Sequence, residues 1–159
     1  MLQAMNTGHE GSLTTIHANS PRDALSRLET LVLTAGLDLP LRAVREQISS
    51  AFDVLVQIAR LVDGSRRITH ITEVLRMEAD VITLQEIFQA KPADEESATS
   101  FGGRVRLLSP LQSTGLKPQF LDKLAANGVA LHSSFFINEE ESGPGMRDVP
   151  PTPKFGGYS

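Results

Sequence analysis

Two histidines, several hydroxyl groups and two glycines lie close together near the start of the chain, in residues 8–19 (GHEGSLTTIHAN). The side chains that could do chemistry there are His9, Ser12, Thr14, Thr15, His17 and Asn19. Neutral donors of these types suit anionic oxygens, and a histidine among them can hydrogen-bond a terminal phosphate or an attacking water. The pattern therefore favours a phosphate-sensing segment over a carbohydrate site.

The same residues also allow plainer interpretations. Threonine and histidine in a strand are often ordinary core residues whose polar atoms are satisfied by the backbone. A metal site is weakly supported, because His9 and His17 are eight residues apart and no carboxylate is clearly placed to complete a ligand set. A nucleophile and base formed by Ser12 and His17 is disfavoured, since such close neighbours rarely form a triad. Structural roles are expected for His70 and His132.

A strand is expected to carry this segment. Residues 12–18 alternate, with Leu13, Thr15 and His17 on one face, which predicts an interior strand. In open α/β sheets, ligands collect beyond the carboxyl ends of the strands. His17 and Asn19 are therefore expected to project from the end of this strand toward a ligand.

Two amphipathic helices are expected after this strand. Ser20 is a candidate N-cap with Pro21 at the first helical position, and the helix is predicted to run to about Ala35 with Gly36 as its cap. A second helix is predicted from Pro40. Its apolar residues recur at helical spacing on one side, at Leu41, Val44, Ile48 and Ala51.

From Asp53 onward the periodicity of the sequence changes to two. Residues 54–62 predict a strand, Asp63-Gly64 predicts a hairpin turn, and residues 66–75 predict the return strand. Residues 81–84 predict a further short strand. An antiparallel β-meander that follows an α/β unit indicates an α/β fold.

The rest of the chain is expected to be less regular. Residues 91–103 are assigned to a linker because their start is polar and acidic, and residues 104–136 to a C-terminal segment with a short helix from Pro118 that Gly128 closes. Residues 137–159 contain three consecutive glutamates and repeated proline and glycine, which predicts a disordered tail.

Composition excludes several classes of protein. With 159 residues, of which 40% are hydrophobic, the chain is expected to form one compact unit. A net charge of -4 argues against nucleic acid as the main ligand. The absence of cysteine excludes disulfides and zinc-thiolate sites and favours a cytoplasmic location. No apolar run approaches the roughly 20 residues that a membrane-spanning helix needs.

Residues 6–22 (NTGHEGSLTTIHANSPR) resemble the His box of type II/IV secretion ATPases, in particular that of the CpaF-like ATPases of Flp/Tad pilus assembly. The resemblance continues through ALSRLE (24–29), LPLRAVREQI (39–48), DGSRR (63–67), ITEV (71–74), DVITLQEIF (80–88) and TGLKPQFL (114–121). It covers residues 1–136, and the tail from Ile137 lies outside it.

This resemblance implies a RecA-like P-loop NTPase domain, of which residues 1–90 would be a part. The family would assemble as a hexameric ring at the cytoplasmic side of the inner membrane, with inner-membrane platform proteins as partners and no nucleic acid. ATP and Mg²⁺ would be the cofactors of the whole protein. The resemblance assigns γ-phosphate sensing and coupling between subunits to His9 and His17. The intervening nucleotide-binding motif would consist of Gly11, Ser12, Thr14 and Thr15.

The chain departs from this family in one respect that bears on its activity. No Gly-x-x-x-x-Gly-Lys-Ser/Thr occurs in it, and the acidic strand that normally holds the metal is missing too. We therefore expect a C-terminal part of a larger ATPase that alone neither hydrolyses ATP nor binds it tightly. The alternative is a non-enzymatic module that docks on a secretion ATPase or its membrane partner. The Gly-Ser-Leu-Thr-Thr sequence favours assembly or secretion over retraction.

Overall fold

The computed structural model describes residues 11–36, 38–91 and 109–137. These residues form a four-stranded antiparallel sheet in the order β1-β2-β3-β4, with helices packed on it. The elements are α1 (Pro21–Thr34), α2 (Leu41–Ala51), β1 (Val54–Arg60), β2 (Arg66–Glu78), β3 (Val81–Gln89), β4 (Gln112–Ser113), α3 (Leu121–Ala126) and a 3₁₀ turn (Ser133–Phe136). The predicted α/β class and the β-meander are confirmed.

Helix α1 begins and ends as its sequence predicts. The Ser20 side-chain oxygen accepts a hydrogen bond from the Asp23 backbone N–H at 3.1 Å, and Pro21 occupies the first turn. This cap satisfies one of the backbone donors that a helix N-terminus leaves free. Gly36 follows the helix with φ +77°, a left-handed conformation that glycine adopts without strain.

The apolar core lies between α1, α2 and one face of the sheet. Val44 and Ile48 of α2 are completely buried there. The buried residues of this cluster are Leu25, Leu28, Val44, Ile48, Val74 and Ile82. We call this side of the sheet the helix-covered face. Burial of this apolar surface is the main source of stability that the described residues offer.

An arginine joins three elements at the edge of this core. Arg45 of α2 donates to both carboxylate oxygens of Glu29 in α1, at 2.8 and 3.1 Å, and to the Asp80 carbonyl at 2.6 Å. The hydrogen bond to Glu29 raises the pKa of Arg45 above its ordinary value, aided by the negative charges of Glu29 and Asp80. The node fixes both helices to the β2–β3 turn, where Ala79 has φ +53°.

The predicted hairpin between β1 and β2 is confirmed. Gly64 takes φ +86° in its turn, and the Asp63 carboxylate accepts from the Ser65 backbone N–H at 2.9 Å and from the Ser65 hydroxyl at 2.7 Å. These bonds, assisted by the positive charge of Arg67, hold the pKa of Asp63 below its ordinary value. Strand β3 is longer than predicted and extends to Gln89.

The other side of the sheet, which we call the open face, is covered only in part. The Phe120 backbone N–H donates to the Glu73 Oε1 at 2.9 Å, and the Gln85 side chain donates to the Lys117 carbonyl at 3.0 Å. The ring centroids of Phe88 and Phe136 lie 5.9 Å apart. Toward the β1–β2 hairpin, by contrast, the open face exposes three large apolar side chains, those of Val56, Ile58 and Ile68.

One prediction of secondary structure is wrong. Residues 12–18 form no strand, and the Leu13 side chain is fully exposed. A strand needs a partner that satisfies its backbone groups, and none of the described strands pairs with this segment. Ile16 alone of its apolar side chains packs against the core. Alternation in the sequence was therefore not sufficient for strand formation.

Several predictions fall outside the described residues. These are His9, nearly all of the 91–103 linker and the tail beyond Ile137. Within the C-terminal segment, the predicted short helix is confirmed as α3, and Gly128 follows it with φ +78°. In the parts of the chain that are described, no helix has both the length and the apolar character needed to span a bilayer.

Candidate functional site

An open groove of about 720 Å³ lies between the end of the irregular segment and the exposed side of α1. The residues that line it are His17, Ala18, Asn19, Asp23, Ser26, Arg27, Thr30 and Leu31. This volume falls within the range of roughly 300–1,000 Å³ that is usual for small-molecule sites. His17 and Asn19, which the sequence analysis expects to project toward a ligand, both line this groove.

His17 reaches the groove from the irregular segment. Its side chain is exposed rather than sealed among aliphatic groups, and Asn19 lines the groove two residues later. The predicted projection of these two residues toward a ligand is therefore compatible with the fold, although no strand carries them. Their position next to the start of α1 also places them near the positive end of the helix dipole.

Helix α1 presents a polar stripe to the groove. Asp23, Ser26, Arg27 and Thr30 recur at spacings of three and four residues, which places them on one side of a helix. The Ser26 hydroxyl donates to the Arg22 carbonyl at 3.3 Å, and the Thr30 hydroxyl donates to the Ser26 carbonyl at 3.0 Å. Since these protons are used within the helix, both hydroxyl oxygens are left to act as acceptors.

Two opposite charges face the groove. Among the described residues, neither the Asp23 carboxylate nor the Arg27 guanidinium has a hydrogen-bond or ion-pair partner. Arg27 can attract an anionic oxygen, whereas Asp23 opposes one. Phosphoryl-transfer sites hold a nucleotide with several positive groups. The groove offers the Arg27 guanidinium together with the Asp23 carboxylate, so the groove alone lacks that positive charge.

The remaining predicted site residues do not line the groove. Ser12, Thr14 and Thr15 are exposed on the irregular segment, and Gly11 precedes them with φ +87°. A Cβ at Gly11 would meet nothing within 4 Å, so its conformation rather than space explains the glycine. His9 lies outside the described residues.

The two other histidines have local partners, as expected of structural residues. His70 Nδ1 lies 3.0 Å from the Thr69 hydroxyl, and its Nε2 lies 3.4 Å from the Gln89 side-chain nitrogen. His132 Nδ1 accepts from the Ser134 backbone N–H at 3.3 Å, capping the 3₁₀ turn. No group of three or more potential metal ligands occurs in residues 11–36, 38–91 and 109–137.

Sequence reasoning missed the polar residues that α1 brings to the groove, and it also missed Gln57. Arg27 supplies the positive charge in the groove, and Gln57 of β1 donates from its side chain to the Ala18 carbonyl at 3.1 Å. A glutamine inside the apolar strand sequence VLVQIAR is an interruption that could have marked Gln57 as a residue with a specific partner. The periodicity of α1 alone could not separate Arg27 from other exposed residues.

The similarity of the sequence defines the class of this protein. The chain belongs to the type II/IV secretion system protein family, whose family model matches residues 1–124. The match includes every residue that lines the groove.

Individual relatives are similar over about half of the chain. A putative conjugal transfer protein of Mycobacterium tuberculosis is 40% identical over 81 residues, which are 51% of this chain and 22% of that protein. Conjugal transfer protein TrbB of Rhizobium radiobacter is 41% identical over 78 residues, 49% of this chain and 22% of TrbB. The chain thus spans only about a fifth of the length of the curated relatives that it matches.

Proposed function

We propose that these 159 residues are the C-terminal part of a type II/IV secretion ATPase of the CpaF-like, Flp/Tad pilus-assembly kind. In the whole protein, ATP hydrolysis would drive pilus assembly or protein secretion. The observation that carries the proposal is the exposed His17, which stands with Asn19 at a groove beside the N-terminus of α1. Membership of the secretion family supports it.

In this proposal the groove senses a phosphate that other parts of the protein hold. The sequence contains no phosphate-binding loop, and Arg27 shares the groove with the Asp23 carboxylate, so other parts of the protein would bind ATP and Mg²⁺. His17 would hydrogen-bond the γ-phosphate or the attacking water and report its loss to α1. His9 would be the second sensing histidine, and Gly11, Ser12, Thr14 and Thr15 would complete the motif.

The same proposal covers the assembly, the location and the partners of the ATPase. It comprises a hexameric ring, a peripheral position on the cytoplasmic side of the inner membrane, and inner-membrane platform proteins as partners. The domain organisation belongs to it as well, with residues 1–90 as part of a RecA-like domain, a linker at 91–103 and a C-terminal segment at 104–136. The conjugal-transfer names of the relatives favour a second assignment within the class, in which the machine serves conjugation rather than pilus assembly.

A non-enzymatic docking module is the competing proposal. The observation that favours it is the exposure of Val56, Ile58 and Ile68 on the open face, because adjacent exposed apolar side chains often mark contact surfaces. The DNA upstream of Met1 distinguishes the two proposals. An in-frame sequence with a phosphate-loop lysine supports the ATPase, and a stop codon followed by a ribosome-binding site supports the module.

Turnover measurements provide the functional test. The 159-residue chain should show no magnesium-dependent ATP hydrolysis, and a measurable rate would contradict the predicted inactivity. In the protein encoded by the longer reading frame, His17→Ala should lower kcat by about tenfold or more, as expected when a group acting on the reacting phosphate is lost. His132→Ala is the matched control and should leave kcat unchanged. Equal kcat values for the two variants would refute the sensing role of His17.

A further inference from the structure

Two contacts fix the path of the irregular segment where it reaches the groove. The Ile16 side chain packs against the apolar core, and the Ala18 carbonyl accepts the hydrogen bond from Gln57 at 3.1 Å. The packing of Ile16 is non-directional and sets only how closely the segment approaches the core. The second is directional and sets the orientation of the Ala18 peptide group, since a hydrogen bond weakens steeply as its angle departs from linearity.

Gln57 is itself held by a network that crosses the sheet. Its backbone carbonyl accepts from the Thr69 hydroxyl at 3.3 Å, and Thr69 is buried, with 5% exposure. The same hydroxyl lies 3.0 Å from His70 Nδ1, and His70 Nε2 lies 3.4 Å from the Gln89 side chain. The network therefore joins β1, β2 and β3.

Each hydrogen bond of this network can be assigned one donor and one acceptor without conflict. A backbone carbonyl can only accept, so the Gln57 group that faces Ala18 must be its NH₂. The Thr69 hydroxyl donates to Gln57, so it can accept the His70 Nδ1 proton, and the neutral His70 Nε2 is then free to accept from Gln89. These connected hydrogen bonds restrict the movement of Gln57.

We propose that Gln57 is a positioning residue for the groove. By holding the Ala18 carbonyl, its side chain fixes the two neighbouring residues, His17 and Asn19, in the orientation in which both line the groove. This positioning is a property of the described residues alone. Its consequence for phosphate sensing rests on the proposed function.

Four variants separate the directional bond from general packing. Gln57→Met removes the donor at similar volume, and Gln57→Glu keeps the shape but presents acceptors to the Ala18 carbonyl. Gln57→Lys restores a donor on a flexible stem. Gln85→Met is the matched control, because Gln85 also donates from a strand to a backbone carbonyl, that of Lys117, at 3.0 Å.

NMR of the 159-residue chain tests the positioning directly. In the Met and Glu variants of Gln57, the backbone order parameters of Ala18 and Asn19 should fall from about 0.85 to below about 0.6. The imidazole signals of His17 should shift, whereas those of His132 should not. Gln57→Lys should recover both readouts in large part, and Gln85→Met should leave both unchanged. The proposal is overturned if the two disruptive variants leave His17 and Asn19 as they are, or if Gln85→Met disturbs them equally.

Turnover of the protein from the longer reading frame tests the consequence. Gln57→Met should lower kcat by about tenfold with little change in KM, Gln57→Lys should recover most of it, and Gln85→Met should match the unaltered protein. A normal kcat in Gln57→Met, with a low kcat in His17→Ala, would refute the functional part of the positioning proposal. A normal kcat in both would instead refute the proposed function, and the NMR result would stand independently.

Discussion

The two faces of the sheet are closed by different kinds of contact. On the helix-covered face, Val44 and Ile48 are 0% exposed and pack with apolar side chains of α1 and the sheet. On the open face, the C-terminal segment is attached through hydrogen bonds at Glu73 and Gln85 and through the contact of the buried Phe136 with Phe88, and none of the residues of α3 is buried.

This difference separates global stability from local attachment. Apolar burial contributes to the stability of the whole fold and cannot be lost at one point without loosening its neighbours. A segment held by a few hydrogen bonds and an aromatic contact can detach while the rest of the structure remains folded. The helix-covered face should therefore decide the free energy of unfolding, and the open face should show local opening.

The largest expected effect concerns the core of α2. Ile48→Ala should lower the free energy of unfolding by about 2–5 kcal/mol, because it leaves a cavity among packed side chains. Ile58→Ala on the open face is the control, and it should change the free energy by less than about 0.5 kcal/mol because Ile58 is 56% exposed. Urea denaturation measures both. Equal losses for the two variants would abolish the distinction between the faces.

The next effect concerns the buried carboxylate of Glu73. This side chain is 3% exposed, and its Oε2 has no hydrogen-bond partner within residues 11–36, 38–91 and 109–137, whereas its Oε1 accepts from Phe120. Glu73→Ala should raise the hydrogen-exchange rate of the Phe120 amide, since an unpaired buried donor costs about 1–3 kcal/mol. Glu73→Gln keeps an acceptor and should preserve the protection of that amide. If exchange quickens across the whole sheet in Glu73→Ala, the attachment is not local.

A smaller effect is expected at the Arg45 node. Arg45→Ala should lower the Tm, though less than Ile48→Ala, because it removes the link between Glu29 and the Asp80 carbonyl. Arg45→Lys should not restore the Tm, since an ammonium group cannot make the paired contact with a carboxylate that the planar guanidinium makes. Full recovery in Arg45→Lys would show that charge alone matters there.

The smallest effect is a pH dependence of the β1–β2 turn. The folded-state pKa of Asp63 lies below its ordinary value of 3.8, chiefly because the Ser65 hydroxyl and backbone N–H donate to the carboxylate. The stabilisation is therefore complete above the ordinary value and is lost as the pH falls through the folded-state pKa. The Ser65 amide signal should follow this loss in an NMR titration, and Asp63→Asn should remove the pH dependence. An unchanged titration in the Asn variant would assign the effect to another group.

Local signals in the sequence predicted most of the fold. The Ser20 cap, the apolar stripe of α2 and the Asp63-Gly64 turn each depend on residues close together in the chain, and all three are confirmed. The strand at residues 12–18 was predicted wrongly because strand formation depends on a partner distant in the sequence. The groove could be predicted only in part, since Gln57 reaches Ala18 across 39 positions and no periodicity marks such a contact.

The Arg45 node also bears on the order of folding. Its bonds require α1, α2 and the β2–β3 turn to be in place together, and the contact with Asp80 joins residues 35 positions apart. Contacts of this kind form late, after the closure of the intervening loop has been completed. We therefore expect Arg45→Ala to accelerate unfolding in stopped-flow experiments and to leave the refolding rate nearly unchanged, which would make the node a determinant of the lifetime of the native state.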